Sequence, residues 1–401
     1  MITVAEAEEI IQDNKGDFGK EIVLFNQAAG RILAETIKTD RDLPPYNRIT
    51  VDGIAVSYQA FASGIRSFRI KATQAAGDEP VDTEAPDECI EVMTGAALPA
   101  TLDTVIRYED IEIKDGIATI LTDNITQGES IHYKGADRKE GDVVAIPGQV
   151  ISPAVISLIT SVGETEVRVK KTPRVVVISS GDELVPVDKT PTEYQVRQSN
   201  SFTVQAALKL QGVNADVLHV PDDVEKITGH LQQCLHAYDA IILTGGISMG
   251  KFDYIPQVLK NLEVEQLFHK VQQRPGKPFW FGRHEGGSFV FAFPGNPVAV
   301  FLCMQRYFLP WLHTSMDMPE KPPVYAMLDN DLEFKPDLQY FLQVKLLVNE
   351  QAQVTAIPLN GNGSGDFSNL ADADAFMELP AEKTLFKKGE VYRVYLISSI
   401  T

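Results

Sequence analysis

Asp239-Ala-Ile-Ile-Leu-Thr-Gly-Gly-Ile-Ser-Met-Gly-Lys-Phe-Asp253 is the stretch on which the fold turns. Its apolar run, Ala240 to Leu243, carries no charge, which predicts a strand buried on both faces, as in parallel sheets flanked by helices. The run stops at Thr244-Gly245-Gly246. Those glycines and Gly250 leave backbone amides bare, so a phosphate or other anion can come closer than any side chain would permit. Two further loops, Arg274-Pro275-Gly276-Lys277-Pro278 and Phe293-Pro294-Gly295-Asn296-Pro297, each end an apolar segment. Three such loops predict one crevice at the carboxyl edge of a sheet, where open α/β folds bind ligands.

Outward from this stretch, strand and helix alternate. Arg174 to Ile178 is a β-branched run, Ser201 to Leu210 a helix, Ala215 to Val220 a strand and Asp223 to Leu235 a helix. This spacing predicts a doubly wound parallel sheet over residues 171–316. Beyond Pro319-Glu-Lys-Pro322-Pro323 the alternation stops. Strands at Val324–Leu328, Tyr340–Val348, Gln353–Leu359, Ala375–Leu379 and Val391–Ile397 predict a β barrel or sandwich over 317–401. Towards the amino end, apolar spacing predicts two short helices, at residues 3–12 and 26–34, closed by Leu43-Pro44-Pro45-Tyr46. Four short strands, at Phe68–Ala72, Cys89–Met93, Thr104–Tyr108 and Ile117–Ile120, predict a small β-rich domain over 44–125. The stretch 126–170 is expected to return to the opening 1–43.

A chain of 401 residues implies two to four domains at about 150 residues each. No apolar run approaches the roughly 20 residues that cross a bilayer, and the first residues lack a basic start, so a cytoplasmic protein without a membrane partner is expected. Cys89, Cys234 and Cys303 are widely spaced and read as reduced core thiols. A net charge of −19 argues against a nucleic-acid surface, which needs clustered Lys and Arg. Against that background, Lys270-Val-Gln-Gln-Arg274-Pro-Gly-Lys277 places three positive charges in eight residues. It reads either as a solvated basic turn or as the wall of an anion pocket, and the Pro-Gly favours the pocket. Acids gather at strand ends: Asp182 and Glu183, Asp222 and Asp223, and Asp253. An Asp there is often a helix cap, the reading preferred for Asp223, but several converging carboxylates can hold Mg²⁺. The histidines show no paired ligand spacing, and His132, His219 and His269 read as satisfied surface or strand-edge residues. Phe279 and Trp280 read as strand core.

Ser179-Ser-Gly-Asp-Glu-Leu184, Ser199-Asn200, Thr244-Gly-Gly-Ile-Ser-Met-Gly250 with Asp253-Tyr254, Pro275-Gly-Lys-Pro278 and Pro294-Gly-Asn-Pro297 follow one another as in the molybdopterin molybdenumtransferase family, MoeA and the gephyrin E domain. Leu43-Pro-Pro-Tyr46, Asp52-Gly53, Met93-Thr-Gly-Ala96 and Gly135-Ala-Asp137 extend the resemblance over most of the chain. It implies a homodimer of four-domain subunits whose α/β domain, similar to MogA and MoaB, takes adenylylated molybdopterin and molybdate as substrates and releases AMP with help from Mg²⁺. By matching position, Asp52, Glu183, Asp222 and Asp253 would be catalytic, the last three also holding the metal. Thr94, Asp137, Ser199, Asn200, Gly245, Gly246, Ser248, Gly250, Lys270, Arg274, Lys277, Pro294, Gly295, Asn296 and Ser364 would bind substrate. The resemblance also implies a MogA-type adenylyltransferase and other cofactor-biosynthesis proteins as partners. Three departures stand out: Asn47 to Val51 differs from the commoner segment before Asp52, Arg274 replaces the usual Lys, and Gln343 stands where Arg is frequent. A non-catalytic scaffold of the same fold, or an adenylyltransferase acting one step earlier, are the competing readings. The retained acids argue against the first, and the long flanking domains against the second.

Overall fold

The alternation of apolar strands and amphipathic helices resolves into a six-stranded mixed sheet. The computed structural model describes residues 1–247, 254–320, 322–359 and 367–397. In chain order the elements are β1 (Val175–Ser180), α1 (Asn200–Leu210), β2 (Ala215–Val220), α2 (Val224–Ala237), β3 (Ala240–Thr244), α3 (Ile255–Asn261), β4 (Val264–His269), β5 (Trp280–His284), β6 (Phe289–Phe293) and α4 (Pro297–Cys303). The strand order is β2-β1-β3-β6-β5-β4. β1, β2, β3 and β6 run parallel, and β5 is antiparallel to both neighbours. That reversal departs from the all-parallel expectation, and its cause is local. Glu285-Gly286-Gly287-Ser288 joins β5 to β6 directly, and so short a connection can only return the chain antiparallel.

Both faces of the sheet are covered, which is why its strands are uninterrupted apolar runs. Val175 and Val177 of β1, Ala240 and Ile242 of β3, and Phe289, Phe291 and Phe293 of β6 enter one core with Val204 and Leu208 of α1. The alternate residues Val176, Ile178, Ile241, Leu243, Val290 and Ala292 enter a second core with Ile227 and Leu231 of α2 and Val258 of α3. Phe279 and Trp280 are core residues as expected, and the indole N–H of Trp280 donates to Gln266 Oε1 at 3.0 Å. The three cysteines are free and buried.

The chain forms two compact units, one made of residues 1–34, 148–152 and Val167 onward, the other of 35–147 and 153–166. Besides the sheet, the first unit holds a closed five-stranded barrel, Val324–Leu328, Gln339–Val348, Val354–Pro358, Ala375–Leu379 and Val391–Leu396, shut by pairing of Gln339–Val348 with Ala375–Leu379. It also holds the opening helix Val4–Asp13, started by a Thr3 and Glu6 capping box. The second expected helix does not form. Only the 3₁₀ turn Phe25–Gln27 is helical; Gly30, at φ +79°, turns the chain, and Leu33 and Ala34 donate instead to Gln149 and Arg168 carbonyls.

In the second unit, a six-stranded sheet runs in the order Thr104–Arg107, Gly53–Val56, Glu88–Val92, Ser67–Gln74, Ile117–Ile120, Ile111–Lys114. The strand Gly53–Val56 is not among the four expected in this domain. Its glycine is obligatory, since a Cβ there would stand 1.9 Å from the Ile106 carbonyl oxygen. Among the described residues, no helix is long and apolar enough to cross a membrane.

Candidate active site

The order β2-β1-β3 makes the carboxyl ends of β1 and β3 a topological switch point, the usual ligand crevice of an open α/β sheet. The loop after β1 carries Gly181-Asp182-Glu183, and the loop after β3 carries Gly245-Gly246, at φ +101° and +67°. The two loops touch: a Cβ on Gly245 would lie 3.0 Å from the Ser180 carbonyl oxygen. The loop after β6 closes the third side, with Gly295 against Gly245, where a Cβ would fall 3.8 Å from the Gly245 Cα. Asn200, first residue of α1, donates its Nδ2 to the Gly295 carbonyl at 2.8 Å, and Ser199 caps α1 through its backbone carbonyl. Gly245, Gly246, Pro294, Gly295, Ser199 and Asn200 are therefore neighbours on one edge.

The acids on this edge are held by short-range bonds. Asp222, after β2, accepts from the buried Ser180 hydroxyl at 2.6 Å, and its own N–H donates to Asp182 Oδ1 at 3.2 Å. Glu183 is exposed, with its carboxylate folded towards Gly181. Asp223 caps α2 by accepting from the Lys226 N–H at 2.9 Å, as read from the sequence. Ser180 was not singled out there, although it precedes the glycine of the first loop. Asn296 likewise caps α4, accepting from the Ala299 N–H at 3.0 Å.

The basic loop follows β4. Val271 N–H donates to the Lys277 carbonyl, and Lys270 N–H to Phe279, so the loop closes on itself at the same edge. Its floor is the buried Gln273, which accepts from Tyr307 and lies under Gly276. Gln273 and Arg274 also pair in parallel with Gln339 and Tyr340, adding a strand to the barrel. No ion pair among the described residues engages Lys270, Arg274 or Lys277. The Arg274 guanidinium sits 5.8 Å from the Phe334 ring, which stacks on Tyr340 at 4.2 Å. A planar cation suits that stack better than an ammonium would.

In the second unit, both the N–H and the hydroxyl of Thr94 donate to Asp52 Oδ1, at 2.6 and 2.7 Å. The backbone bond, then the hydroxyl, holds the exposed Asp52 carboxyl below its ordinary range. Asp137 accepts from His132 Nε2 at 2.9 Å, and His132 Nδ1 accepts from Arg48 at 3.0 Å, so His132 is satisfied in a chain of three residues. Arg48, in the segment that differs from the common family pattern, is a partner the sequence did not reveal.

Three stretches of the chain match family models: residues 2–163 the MoeA N-terminal region (domains I and II), 176–314 a probable molybdopterin binding domain, and 325–397 the MoeA C-terminal region (domain IV). A molybdopterin molybdenumtransferase from Synechocystis sp. is 40% identical over 98% of this chain and 100% of its own. The chain belongs to the molybdopterin molybdenumtransferase family. One from Staphylococcus epidermidis is 30% identical over 99% of this chain and 96% of its own. The solved molybdopterin biosynthesis MoeA protein of Pyrococcus horikoshii superposes with a TM-score of 0.83 at 27% identity, with full coverage of both chains. The protein is thus a transferase of molybdenum cofactor biosynthesis, and the scaffold and adenylyltransferase readings are not favoured.

Of the residues matched to this transferase family, Ser248, Gly250, Asp253 and Ser364 lie outside the described residues. Among the described residues, no three His, Cys, Asp or Glu side chains converge to hold a metal. His269 corrects the sequence reading: its Nε2 is buried without a hydrogen-bond partner.

Proposed function

We propose that this chain inserts molybdate into adenylylated molybdopterin and releases AMP. One observation carries the reading: Gly245, the Asp222 loop and the Gly295 loop meet at the switch point of a sheet whose same edge carries Lys270, Arg274 and Lys277, none of them in an ion pair among the described residues. Anionic phosphate and molybdate need donors, and Lys270, Arg274 and Lys277 would supply them, whereas the Gly245 amide is already given to the Phe293 carbonyl at 3.0 Å. Water attacks the adenylate phosphorus, forming the new P–O bond as the anhydride bond to the molybdopterin phosphate breaks, so AMP and molybdopterin phosphate separate; the dithiolene sulfurs then bind molybdate, whose displaced oxo group leaves as water with the two thiol protons.

Mg²⁺ fits the donor set, because it takes one or two carboxylates, substrate phosphates and several waters rather than a full protein cage. Glu183 and Asp222, with Asp253, would hold it. When bound, the ion would polarise the adenylate phosphate. Ser180 fixes one oxygen of Asp222, so the other would be the one to serve the ion. Thr94 fixes Asp52 in the same manner and keeps it ionised.

By resemblance, the working form is a cytoplasmic homodimer, with Asp52, Thr94 and Asp137 completing the substrate site and a MogA-type enzyme supplying the adenylylated substrate. The test mixes protein, adenylylated molybdopterin, Mg²⁺ and molybdate, and follows AMP. Molybdate-dependent release is expected, abolished in Asp52→Ala and in Asp253→Ala. Equal release without molybdate would end the assignment.

A further inference from the structure

Arg48 and His132 stand opposite each other where Arg48–Ile49 pairs antiparallel with Ile131–His132, inside the second unit. Arg48 Nη2 lies 3.0 Å from His132 Nδ1, and His132 Nε2 lies 2.9 Å from Asp137 Oδ1. These two contacts together decide where the ring carries its proton. A guanidinium has only donors, so Nδ1 accepts from Arg48, and Nε2 carries the hydrogen that is donated to Asp137. A doubly protonated ring would set two donors against each other at 3.0 Å, so the arrangement requires a neutral imidazole.

The segment that carries Arg48 also grips the Asp137 loop by its backbone. Asn47 Oδ1 accepts from the Lys134 N–H, the Pro44 carbonyl from Gly135 and the Leu43 carbonyl from the Asp137 N–H, each at 2.9 Å. Farther on, the Ile49 N–H donates to the Ala96 carbonyl and the Gly95 N–H to the Ile49 carbonyl, after which the chain reaches Asp52 and its partner Thr94. One stretch, residues 43–52, thus holds the Asp137 loop and carries Asp52. The backbone bonds place the loop, but the Arg48–His132 pair is what reaches the Asp137 carboxylate itself.

An ionised carboxylate can only accept, and with Oδ1 engaged by His132 its Oδ2 is the oxygen left for an N–H or O–H of a ligand. The Asp137 side chain is 58% exposed, so without that bond it would sample several rotamers, and ordering it on binding would cost affinity. Arg48 secures the bond from behind. In the other tautomer Nε2 would face Asp137 as acceptor against acceptor, and Arg48 excludes that tautomer by occupying Nδ1.

We propose that Arg48 is a positioning residue: it locks His132 in the neutral Nε2–H form, which holds the Asp137 carboxylate as a preset acceptor for an N–H or O–H of the adenylylated pterin. The inference rests on the reading above that puts Asp137 in the substrate site. Arg48→Met keeps the aliphatic stem and removes the donors, and since Arg48 is exposed the core is untouched; substrate binding should weaken roughly three- to tenfold. His132→Leu should cost at least as much. His132→Gln, which can accept from Arg48 through Oε1 and donate to Asp137 through Nε2, should recover most of the loss.

The experiment pairs imidazole ¹⁵N NMR at neutral pH, in which His132→Gln identifies the His132 signals, with calorimetric titration of adenylylated molybdopterin in the absence of molybdate. Support is an Nε2–H ring in wild type that becomes a tautomer mixture in Arg48→Met, weaker binding by Arg48→Met and His132→Leu, and recovery in His132→Gln. In an Asp137→Asn background, adding Arg48→Met should then cost nothing further. A doubly protonated or Nδ1–H ring in wild type overturns the proposal, as does Arg48→Met binding the substrate as tightly as wild type. Additive losses from Arg48→Met and Asp137→Asn overturn it too, because Arg48 would then act independently of Asp137. If wild type binds the substrate yet releases no AMP with molybdate, the transferase reading falls while this comparison stands. If wild type does not bind it, both fall.

Discussion

Ser180→Ala tests the site through one bond. The Ser180 hydroxyl is buried and donates to Asp222 Oδ1 at 2.6 Å, the bond that fixes the carboxylate at the end of β2. A hydrogen bond to a charged group contributes about 1.5–3 kcal/mol, and about 1.4 kcal/mol is tenfold in rate, so AMP release should fall roughly 10- to 150-fold. Fold stability should fall by no more than about that same hydrogen-bond energy, leaving the protein folded at the assay temperature. The assay is AMP release under saturating Mg²⁺ and molybdate, alongside thermal unfolding of each variant. The decisive comparison is a cycle with Asp222→Ala. If Ser180 acts only by holding Asp222, adding Ser180→Ala to Asp222→Ala costs nothing further. A Ser180→Ala enzyme within about threefold of wild type, or an additive double variant, would refute the reasoning.

Gly53→Ala should destabilise the second unit by about 2 kcal/mol or more, because its Cβ would meet the Ile106 carbonyl oxygen at 1.9 Å and neither backbone can give way cheaply; urea unfolding measures it. Phe334→Ala should remove the ring beside Arg274 and weaken pyrophosphate binding severalfold, whereas Arg274→Lys in the Phe334→Ala background should cost little more, as calorimetry would show. Asp239 accepts from the Arg174 guanidinium and N–H; burial opposes its ionised form, but these bonds and the Arg174 charge prevail, so its carboxyl is held below the ordinary value. A lowered carboxyl contributes stability above its unfolded pKa and loses it as pH falls through the folded one. Asp239→Asn should therefore melt earlier than wild type at pH 7, with the gap closing below about pH 4.

The parts of the fold that were legible are those with strong local pattern. The barrel strands Val324–Leu328 and Ala375–Leu379 stand where alternation and turn residues put them, and the uncharged β3 is buried on both faces. Residues 26–34 carried a helical spacing as good as that of the opening helix, yet their backbone pairs with 149–151 and 168 across more than a hundred residues. Nothing local announces such a partner. The same holds for Gln273–Arg274, two residues that leave the basic loop to extend the barrel.

At the site, residue types were readable but their duties were not, and the reason is chemical. Asp, Asn and Ser are favoured at strand ends both because they cap the following helix and because they can meet a ligand. Asp222 and Asp223 are adjacent and alike in sequence; only the fold separates them, since Asp223 accepts from the Lys226 N–H while Asp222 is turned to Ser180, 42 residues away. Asn296 was read as a substrate residue, and one of its oxygen contacts is already a cap. His269 is the converse: it looked satisfied, and its buried Nε2 is bare. A polar residue at a strand end is therefore informative about function in proportion to the bonding capacity that the fold leaves unused, a quantity set by long-range contacts that no spacing rule contains.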